Sequence, residues 1–417
     1  MYKWVEGGIT APQGFQAAGV AAGLKPSGAP DLALIVSDLP AIAGGVFTTS
    51  VVRAACVDYN RQVLAKHRPV KAILCNAGQA NACTGDQGWQ NTLTTVKLVQ
   101  QALGTEAEIL VASTGVIGQQ LKMDLIQAGI PQLAASLADA GGESAARAIV
   151  TTDLVTKVIA LESEIQGKLV RVGGIAKGSG MIHPHMATML GFITCDAQVE
   201  PELWQGLISQ AASLSFNQIT VDGDTSTNDM LLGLANGASG GERIEPGTIA
   251  ADQLAELVNQ VCIYLAKAIA RDGEGATCLL EVLVTGAETD QAARQVAKVI
   301  CGSSLVKSAV FGHDPNWGRI AAAAGRSGIS FDQTQLDINL GDFAMMRQGQ
   351  PQNFDRQAAS AYLKAHTINS PRQRSPQDFE PETVQIRVNI GQGTGSGTAW
   401  GCDLSYDYVK INAEYTT

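Results

Sequence analysis

The sequence predicts an α/β fold built of layered sheets and helices, and three observations support this. Apolar runs of strand length recur along the chain, for example at residues 32–36 (LALIV) and 278–284 (CLLEVLV). Apolar residues at helical spacing (i, i+3, i+4, i+7) cover residues 254–269. Apolar residues alternate with polar ones at 384–390, which indicates a strand with one buried face. Helices interspersed with strands in both halves favour α/β layers.

The local patterns place further elements in order. Before residue 151, the predicted strands are 32–36, 45–49, 71–75 and 108–112, and the predicted helices are 89–103, 123–137 and 143–150. A strand pair, 157–165 and 168–175, then leads into a glycine-rich loop. Strand 188–195 and helix 201–214 follow the loop. The amphipathic helix should end near Gly273, because glycine adopts the left-handed conformation that closes helices.

The length favours two domains, because 417 residues exceed what one compact core normally holds. Residues 286–290 (GAETD) separate two well-patterned regions. We therefore expect a catalytic domain over residues 1–285 and a smaller C-terminal α/β domain over residues 286–417. Residues 370–381 are rich in Pro, Gln and Arg and are predicted to be an exposed insertion.

Charge and composition narrow the class of protein. The net charge of −10 disfavours nucleic acid as a partner, since phosphate binding needs clustered Lys and Arg. No apolar run approaches the ~20 residues that span a bilayer, and no apolar leader follows the first residues. Eight scattered cysteines without a C-x-x-C pair predict reduced, buried thiols. A soluble cytoplasmic protein without a membrane partner is expected.

Residues 176–190 (AKGSGMIHPHMATML) have the layout that a self-cleaving N-terminal nucleophile needs. A flexible Gly-Ser-Gly loop leads to a small residue, Ala187, and then to the hydroxyl of Thr188 where an apolar strand begins. That hydroxyl can attack the preceding carbonyl, and cleavage frees an α-amine whose ordinary pKa of ~7.7–8.0 suits a general base. From spacing alone, however, Thr188 as an ordinary strand residue is the commoner case. A nucleotide loop is disfavoured because the Lys precedes the glycines.

Four long motifs resemble the ornithine acetyltransferase family and cover nearly the whole chain in the family's order. Besides the cleavage segment, residues 177–190 (KGSGMIHPHMATML), they are residues 221–229 (VDGDTSTND), 311–319 (FGHDPNWGR) and 400–412 (WGCDLSYDYVKIN). Residues 14–23 (GFQAAGVAAG) are similar as well. The resemblance implies a layered α/β fold of the kind shared with self-processing aminopeptidases.

The same resemblance implies a reaction. The precursor cuts itself between Ala187 and Thr188 into chains 1–187 and 188–417, which stay together and assemble as a heterotetramer. Thr188 takes the acetyl group from N-acetylornithine, releases ornithine, and passes the acetyl group to glutamate in a ping-pong step of arginine biosynthesis. Some members also accept acetyl-CoA as donor, which the sequence leaves open. No cofactor is implied.

The resemblance also implies an oxyanion hole and a cation. Residues 113–115 (STG) follow an apolar strand and resemble the family's oxyanion hole, with Thr114 and Gly115 as donors, although the residues alone suit a simple turn. Lys177 has two chemically reasonable roles: it holds a substrate carboxylate, or it lowers the pKa of the Thr188 amine by like-charge repulsion. The family match supports substrate binding.

Five further residues are assigned to substrate by the resemblance. Glu274, after a helix end, suits capture of an ammonium group of ornithine. Thr151 and Thr152 resemble the family's substrate-contacting pair, and the sequence does not decide which one makes the contact. Asn412 and the terminal Thr417 imply a C-terminus folded over the active site.

Other polar residues are given structural roles. The two histidines in residues 183–185, with Cys195, lack a second ligand cluster, so no metal site is predicted. We interpret His313 as organising a turn. Asp222 and Asp224 are interpreted as hydrogen-bond acceptors that shape the pocket.

Two alternatives compete with acetyl transfer. A self-processing amidase or aminopeptidase would hydrolyse the same acyl-enzyme, and acetate release distinguishes it from transfer. A non-enzymatic metabolite binder would keep an intact chain and an inert Thr188.

Overall fold

The computed structural model describes residues 2–183, 189–368 and 379–414, and these form two compact units. The first unit comprises residues 2–178, 189–217 and 224–265, and the second comprises residues 179–183, 218–223, 266–368 and 379–414. Each unit contains its own sheet and helices, which confirms the predicted layered α/β class.

The first ten strands and first six helices occupy most of the first unit. The strands are β1 (Lys3–Trp4), β2 (Phe15–Val20), β3 (Leu32–Phe47), β4 (Val70–Gln79), β5 (Glu108–Val116), β6 (Lys157–Ile165), β7 (Lys168–Lys177), β8 (Leu190–Cys195), β9 (Ile219–Thr220, in the second unit) and β10 (Met230–Ala235). The helices are α1 (Ala55–Leu64), α2 (Gly85–Leu103), α3 (Met123–Ala135), α4 (Gly142–Ile149), α5 (Pro201–Leu214) and α6 (Ile249–Arg271, divided between the units at Leu265).

Among the described residues, the first unit has a nine-stranded sheet. Its order is β1-β6-β7-β8-β10-β3-β4-β5, and β2 pairs with β3 beside this path. The β8–β10 and β4–β5 pairs are parallel, and the others are antiparallel. The apolar residues of β3 and β4, such as Leu34 and Ile73, are almost completely buried in the main core cluster. This buried sheet provides a rigid support for the loops at its strand ends.

The two predicted strands 32–36 and 45–49 were wrong as separate elements. Residues 32–36 and 45–47 both belong to β3, which continues through an irregularity between Val36 and Ala41 where its register with β4 shifts. The strand then pairs with β10 over residues 42–47. A bulge lets one strand bend without ending, and sequence patterning reads the bend as a break.

The remaining predicted elements of this unit are present. Strand 157–165 and helix 201–214 have the predicted bounds, and the others have shifted ends. Helix 89–103 begins four residues earlier, at Gly85. More important for the site, β5 extends beyond the predicted end at residue 112, because its parallel pairing with β4 continues to Val116. The predicted oxyanion residues therefore lie inside a strand.

The second unit is built on a seven-stranded sheet, counted over its described residues, in the order β14-β13-β12-β15-β11-β16-β9. Its further strands are β11 (Leu279–Ala287), β12 (Asp337–Leu340), β13 (Phe343–Arg347), β14 (Gln350–Pro351), β15 (Thr383–Asn389) and β16 (Gly395–Cys402). Its further helices are α7 (Asp290–Cys301), α8 (Ser304–Phe311), α9 (Trp317–Gly325), α10 (Arg356–Ala365) and α11 (Tyr406–Ala413).

The observed division differs from the predicted boundary at 285/286, since the last segment of the second unit begins at Ala266. The reason is β11, which pairs with β15 on one side and β16 on the other and so belongs to the second sheet. The alternation predicted at 384–390 corresponds to β15, whose Val384, Ile386 and Val388 are buried.

Three other expectations can be compared with the structure. All eight cysteines are free and seven are buried, but Cys83 is exposed, contrary to the prediction. Most of the predicted insertion, residues 370–378, lies outside the described residues; residues 380–382 form a short 3-10 helix. No helix in the described ranges is both long and apolar enough to cross a membrane.

Candidate functional site

Lys177, the last residue of β7, brings together three of the residues predicted from sequence. Its Nζ donates hydrogen bonds to Thr151 Oγ1 at 2.7 Å and to Thr114 Oγ1 at 3.3 Å. The lysine is only 9% exposed. Its ammonium therefore faces two hydroxyl groups, and a lysine so placed can hold a carboxylate.

The backbone around Gly115 is held in one conformation. Gly115 has a φ of +126°, and a Cβ there would lie 2.3 Å from the backbone carbonyl carbon of Gly78 on the neighbouring strand. Just before it, Ser113 Oγ donates to Asn76 Oδ1 at 2.6 Å, and Asn228 Nδ2 donates to Ser113 O at 2.7 Å. The hydrogen bonds of Ser113 fix the direction of the following residues. The positive φ and the close approach of Gly78 explain why only glycine fits at 115.

The Thr114 hydroxyl can act as a donor. Because its oxygen accepts from Lys177 Nζ, its own hydrogen is available for another oxygen atom. The adjacent Gly115 contributes a backbone N–H in a preorganised strand. A hydroxyl and an N–H on consecutive residues can stabilise an oxyanion, which is the role predicted for them.

Asp153 and Lys157 form a buried ion pair beside Lys177 that the sequence analysis did not identify. Lys157 Nζ lies 2.7 Å from Asp153 Oδ1, and both side chains are fully buried. Burial raises the pKa of Asp153, but the positive charges of Lys157 and Lys177 outweigh this and hold that pKa well below its usual range. The spacing of four residues between Asp153 and Lys157 was the signal in the sequence that the two could pair. A lone lysine usually lies at the surface, however, so the sequence did not indicate a buried pair.

The carboxylate of Asp153 also accepts hydrogen bonds from two backbone amides near Lys177. Its Oδ1 accepts from Gly178 N at 2.7 Å, and its Oδ2 accepts from Thr151 N at 3.0 Å. One buried carboxylate thereby connects the Thr151 turn with the start of the glycine-rich loop.

Glu274 lies in the second unit, where the N-terminal part of that loop surrounds it. Its backbone N donates to Ser179 O at 3.0 Å, and Ser179 Oγ donates to Asp272 O at 2.6 Å. A Cβ at Gly180 would lie 2.4 Å from Glu274 Oε2, so this carboxylate is packed directly against the glycine. Glu274 is 9% exposed. A carboxylate held in this way can receive an ammonium group.

Helix α11 places Asn412 against Glu274. Asn412 Nδ2 donates to Glu274 Oε2 at 2.9 Å. The N-terminus of the helix is attached at Gly275, whose carbonyl accepts from Ser405 Oγ at 2.6 Å and whose φ is +71°. A Cβ at Gly275 would lie 2.5 Å from Tyr408 N. Two of the residues predicted to contact substrate, Glu274 and Asn412, are thus in contact with each other.

Some predicted site residues cannot be placed. Ala187, Thr188 and Thr417 lie outside the described residues, as does His185. Thr152 lies next to Thr151 and is partly buried, but the Lys177 ammonium contacts Thr151.

The geometry agrees with the structural roles predicted for Asp222 and His313. Asp222 accepts from Met181 N and Ile182 N at 2.6 and 2.8 Å and so shapes the loop, whereas Asp224 is exposed. His313, with a φ of +53°, lies in the turn after α8, and its Nε2 is 3.1 Å from Thr367 Oγ1.

Comparisons with known proteins identify relatives of this chain. Residues 16–417 match the model of the ArgJ family. The chain is 62% identical over 420 residues to arginine biosynthesis bifunctional protein ArgJ 1 of a Nostoc species, with all of both chains covered. It is 60% identical over 417 residues to arginine biosynthesis bifunctional protein ArgJ of a Synechococcus species, with 100% of this chain and 99% of the relative covered.

A solved structure is also similar. The crystal structure of arginine biosynthesis bifunctional protein ArgJ from Bacillus halodurans is 46% identical, with a TM-score of 0.50, and the match covers 55% of this chain and all of that one. Together with the full-length relatives, this confirms the resemblance to ornithine acetyltransferases predicted from the motifs. The chain belongs to the ArgJ family.

Proposed function

We propose that this protein is a self-processing acetyltransferase of arginine biosynthesis that moves the acetyl group of N2-acetyl-L-ornithine to L-glutamate through an acetyl ester on Thr188. The observation that supports this most directly is the cluster of Lys177, Thr114 and Thr151 beside the Gly115 amide. It combines a cation for a substrate carboxylate with donors for an oxyanion. Acyl transfer between amino acids needs both.

Self-cleavage comes first in the proposed mechanism. The Thr188 hydroxyl adds to the carbonyl carbon of Ala187, and the peptide C–N bond breaks as its nitrogen takes a proton. The resulting ester is hydrolysed by water, which leaves a carboxylate on Ala187 and a free α-amine on Thr188. That amine, with an ordinary pKa of ~7.7–8.0, then serves as the base for the same residue's hydroxyl.

Acetyl transfer then proceeds in two steps. The Thr188 oxygen attacks the acetyl carbonyl of N-acetylornithine while its proton passes to the α-amine, and the departing amine of ornithine recovers that proton. The neutral amine of glutamate next attacks the acetyl ester and gives up a proton as Thr188 leaves. Both tetrahedral intermediates carry an oxyanion, for which Thr114 and Gly115 are the proposed donors, each worth about 2.7–4 kcal/mol.

Substrate recognition is assigned to charged groups of opposite sign. Lys177 binds the α-carboxylate that N-acetylornithine and glutamate share, assisted by a hydroxyl of Thr151 or Thr152. Glu274, with Asn412 and Thr417, binds an ammonium group of ornithine. Lys177 lies among hydroxyls, and the Glu274 carboxylate accepts from a neutral amide, which leaves each charge for a ligand.

The distribution of the acetyl group tests the proposal against hydrolysis. The purified protein is incubated with acetyl-labelled N-acetylornithine and glutamate, and labelled N-acetylglutamate and acetate are quantified. Transfer predicts that nearly all the label appears in N-acetylglutamate, whereas an amidase or aminopeptidase releases it as acetate. Replacing the donor with acetyl-CoA tests the second activity that we propose, synthesis of N-acetylglutamate from a thioester.

Replacing Gly180 with Ala tests the role of Glu274. The added methyl would meet the carboxylate 2.4 Å away, and because this is the end of a side chain, Glu274 shifts while the backbone stays in place. We expect the KM for N-acetylornithine to rise by about tenfold, the loss of one charge-assisted contact, with little change in Tm.

Gly206→Ala in α5 is the matched control, because a Cβ there meets no atom within 4 Å. It should leave the KM unchanged. An unchanged KM in the Gly180→Ala variant would contradict the assignment of Glu274.

Assembly as a heterotetramer and a cytoplasmic location stay predictions.

A further inference from the structure

We propose that Asp153 and Lys157 form a positioning pair that keeps the charge of Lys177 available for the substrate carboxylate. The inference rests on the proposed function and extends it to two residues that do not themselves contact substrate. It concerns how a buried carboxylate can lie beside a substrate-binding cation without neutralising it.

The hydrogen bonds of Asp153 leave little room for another cation. Oδ1 accepts from Lys157 Nζ and from Gly178 N, each at 2.7 Å, and Oδ2 accepts from Thr151 N at 3.0 Å. Two of these donors are backbone amides that fix the carboxylate in place. Lys157 supplies the positive charge that a fully buried carboxylate needs.

The position of the Lys177 ammonium agrees with this division of charge. Although its positive charge acts on Asp153, it donates to the hydroxyls of Thr151 and Thr114. The Asp153–Lys157 pair is neutral as a whole, so the three side chains together carry one net positive charge. That charge resides on Lys177, at the hydroxyl-lined position.

The same pair orients the hydroxyl that holds Lys177. Asp153 accepts from the backbone N of Thr151, and the side-chain oxygen of Thr151 accepts a hydrogen bond from Lys177 Nζ at 2.7 Å. After Lys157, Lys177 is the positive charge that acts most strongly on the buried carboxylate. Without Lys157 we expect the Lys177 ammonium to leave the hydroxyls and pair with Asp153, so that its charge is lost to the substrate.

The test is a double-mutant cycle on the processed protein, with steady-state kinetics for N-acetylornithine and glutamate. Lys157→Met should raise the KM of both substrates about tenfold or more while kcat changes less than about threefold, since binding of the carboxylate is weakened and the oxyanion donors are untouched. Asp153→Asn combined with Lys157→Met removes both charges. It should restore the KM values to within about threefold of wild type.

The rescue separates charge allocation from simple packing, because packing defects at neighbouring positions do not cancel. A Lys157→Met variant with wild-type KM values, or a double variant no better than Lys157→Met, would overturn the proposal. If Lys157→Met does not fold, the double variant decides alone, because neutral replacements of a buried ion pair are commonly tolerated. A tenfold raised KM in it would count against the inference.

Arg147→Met is the matched control, because Arg147 and Glu143 form an exposed pair with the same spacing of four residues on α4. It should leave both KM values unchanged. Wild-type protein assayed in parallel keeps the two proposals apart. Absence of acetyl transfer in wild type would refute the proposed function, whereas wild-type transfer with an unaffected Lys157→Met variant would refute only the positioning pair.

Discussion

Replacing Thr188 with Ala leaves a single uncut chain of 417 residues that transfers no acetyl group. The change removes the hydroxyl proposed to break the Ala187–Thr188 bond, so the α-amine base is never formed. It also removes the nucleophile of the transfer reaction. Loss of a nucleophile in acyl transfer costs about a millionfold in kcat, which brings the variant to background. Intact-mass spectrometry and the labelled-acetyl assay measure the two losses separately.

Thr188→Ser is the matched control, because it keeps a hydroxyl and, after cleavage, an α-amine on the same residue. We expect this variant to cut itself and to retain measurable transfer. If the alanine variant yielded one chain ending at Ala187 and a second chain beginning at residue 188, cleavage would not need the hydroxyl. Such a result would favour an external protease and would remove the basis of the mechanism.

Replacing Thr114 with Val lowers kcat by about a hundredfold to a thousandfold, with little change in KM. Valine has nearly the same shape but lacks the hydroxyl hydrogen that we propose for the oxyanion, and such a donor acts only when charge develops in the transition state. Thr114 Oγ1 also accepts from Lys177 Nζ at 3.3 Å, and the variant loses this contact. Lys177 nevertheless stays anchored through Thr151 Oγ1 at 2.7 Å. Substrate binding should therefore persist. Kinetics per processed chain, with cleavage followed by intact mass, give the measurement.

Thr95→Val provides the comparison for the loss of a hydroxyl elsewhere in the same unit. Thr95 Oγ1 donates to Asn91 O at 2.8 Å within α2. Its kcat should stay near the wild-type value. An equal fall in both variants would point to a general effect on stability. A rise in KM without a fall in kcat at Thr114 would assign this residue to substrate binding.

Much of the fold follows from local pattern, and the errors have physical causes. Strands and helices of the first unit are recognisable because apolar residues repeat at the spacing of a strand or a helix. The fusion of two predicted strands into β3 was missed because a bulge depends on the pairing partner, β4, which local sequence does not specify. The boundary predicted at 285/286 differs from the division into compact units for a similar reason. Whether β11 joins the second sheet is decided by its two neighbours, β15 and β16.

The candidate site shows the same limit more sharply. Spacing alone could not distinguish Thr188 from an ordinary strand residue, and only the four motifs of the family gave it a role. Lys177 and Glu274 could be named from these motifs. The carboxylate beside Lys177 could not be given its function, because the burial of Lys157 and its contact with Asp153 arise from the packing of β6 and the preceding loop.

The order of strands in the first sheet decides when the chain can be cut. β8 and β10 follow residue 188, yet they lie between β7 and β3, which precede it. After the proposed cleavage the two pieces remain interleaved, and separating them would require breaking ladders on both sides of the inserted strands. Each piece made alone would expose unpaired strand edges, which promote aggregation. The intact precursor must therefore fold before it is cut, and co-expression of the two pieces is a poor substitute for self-processing.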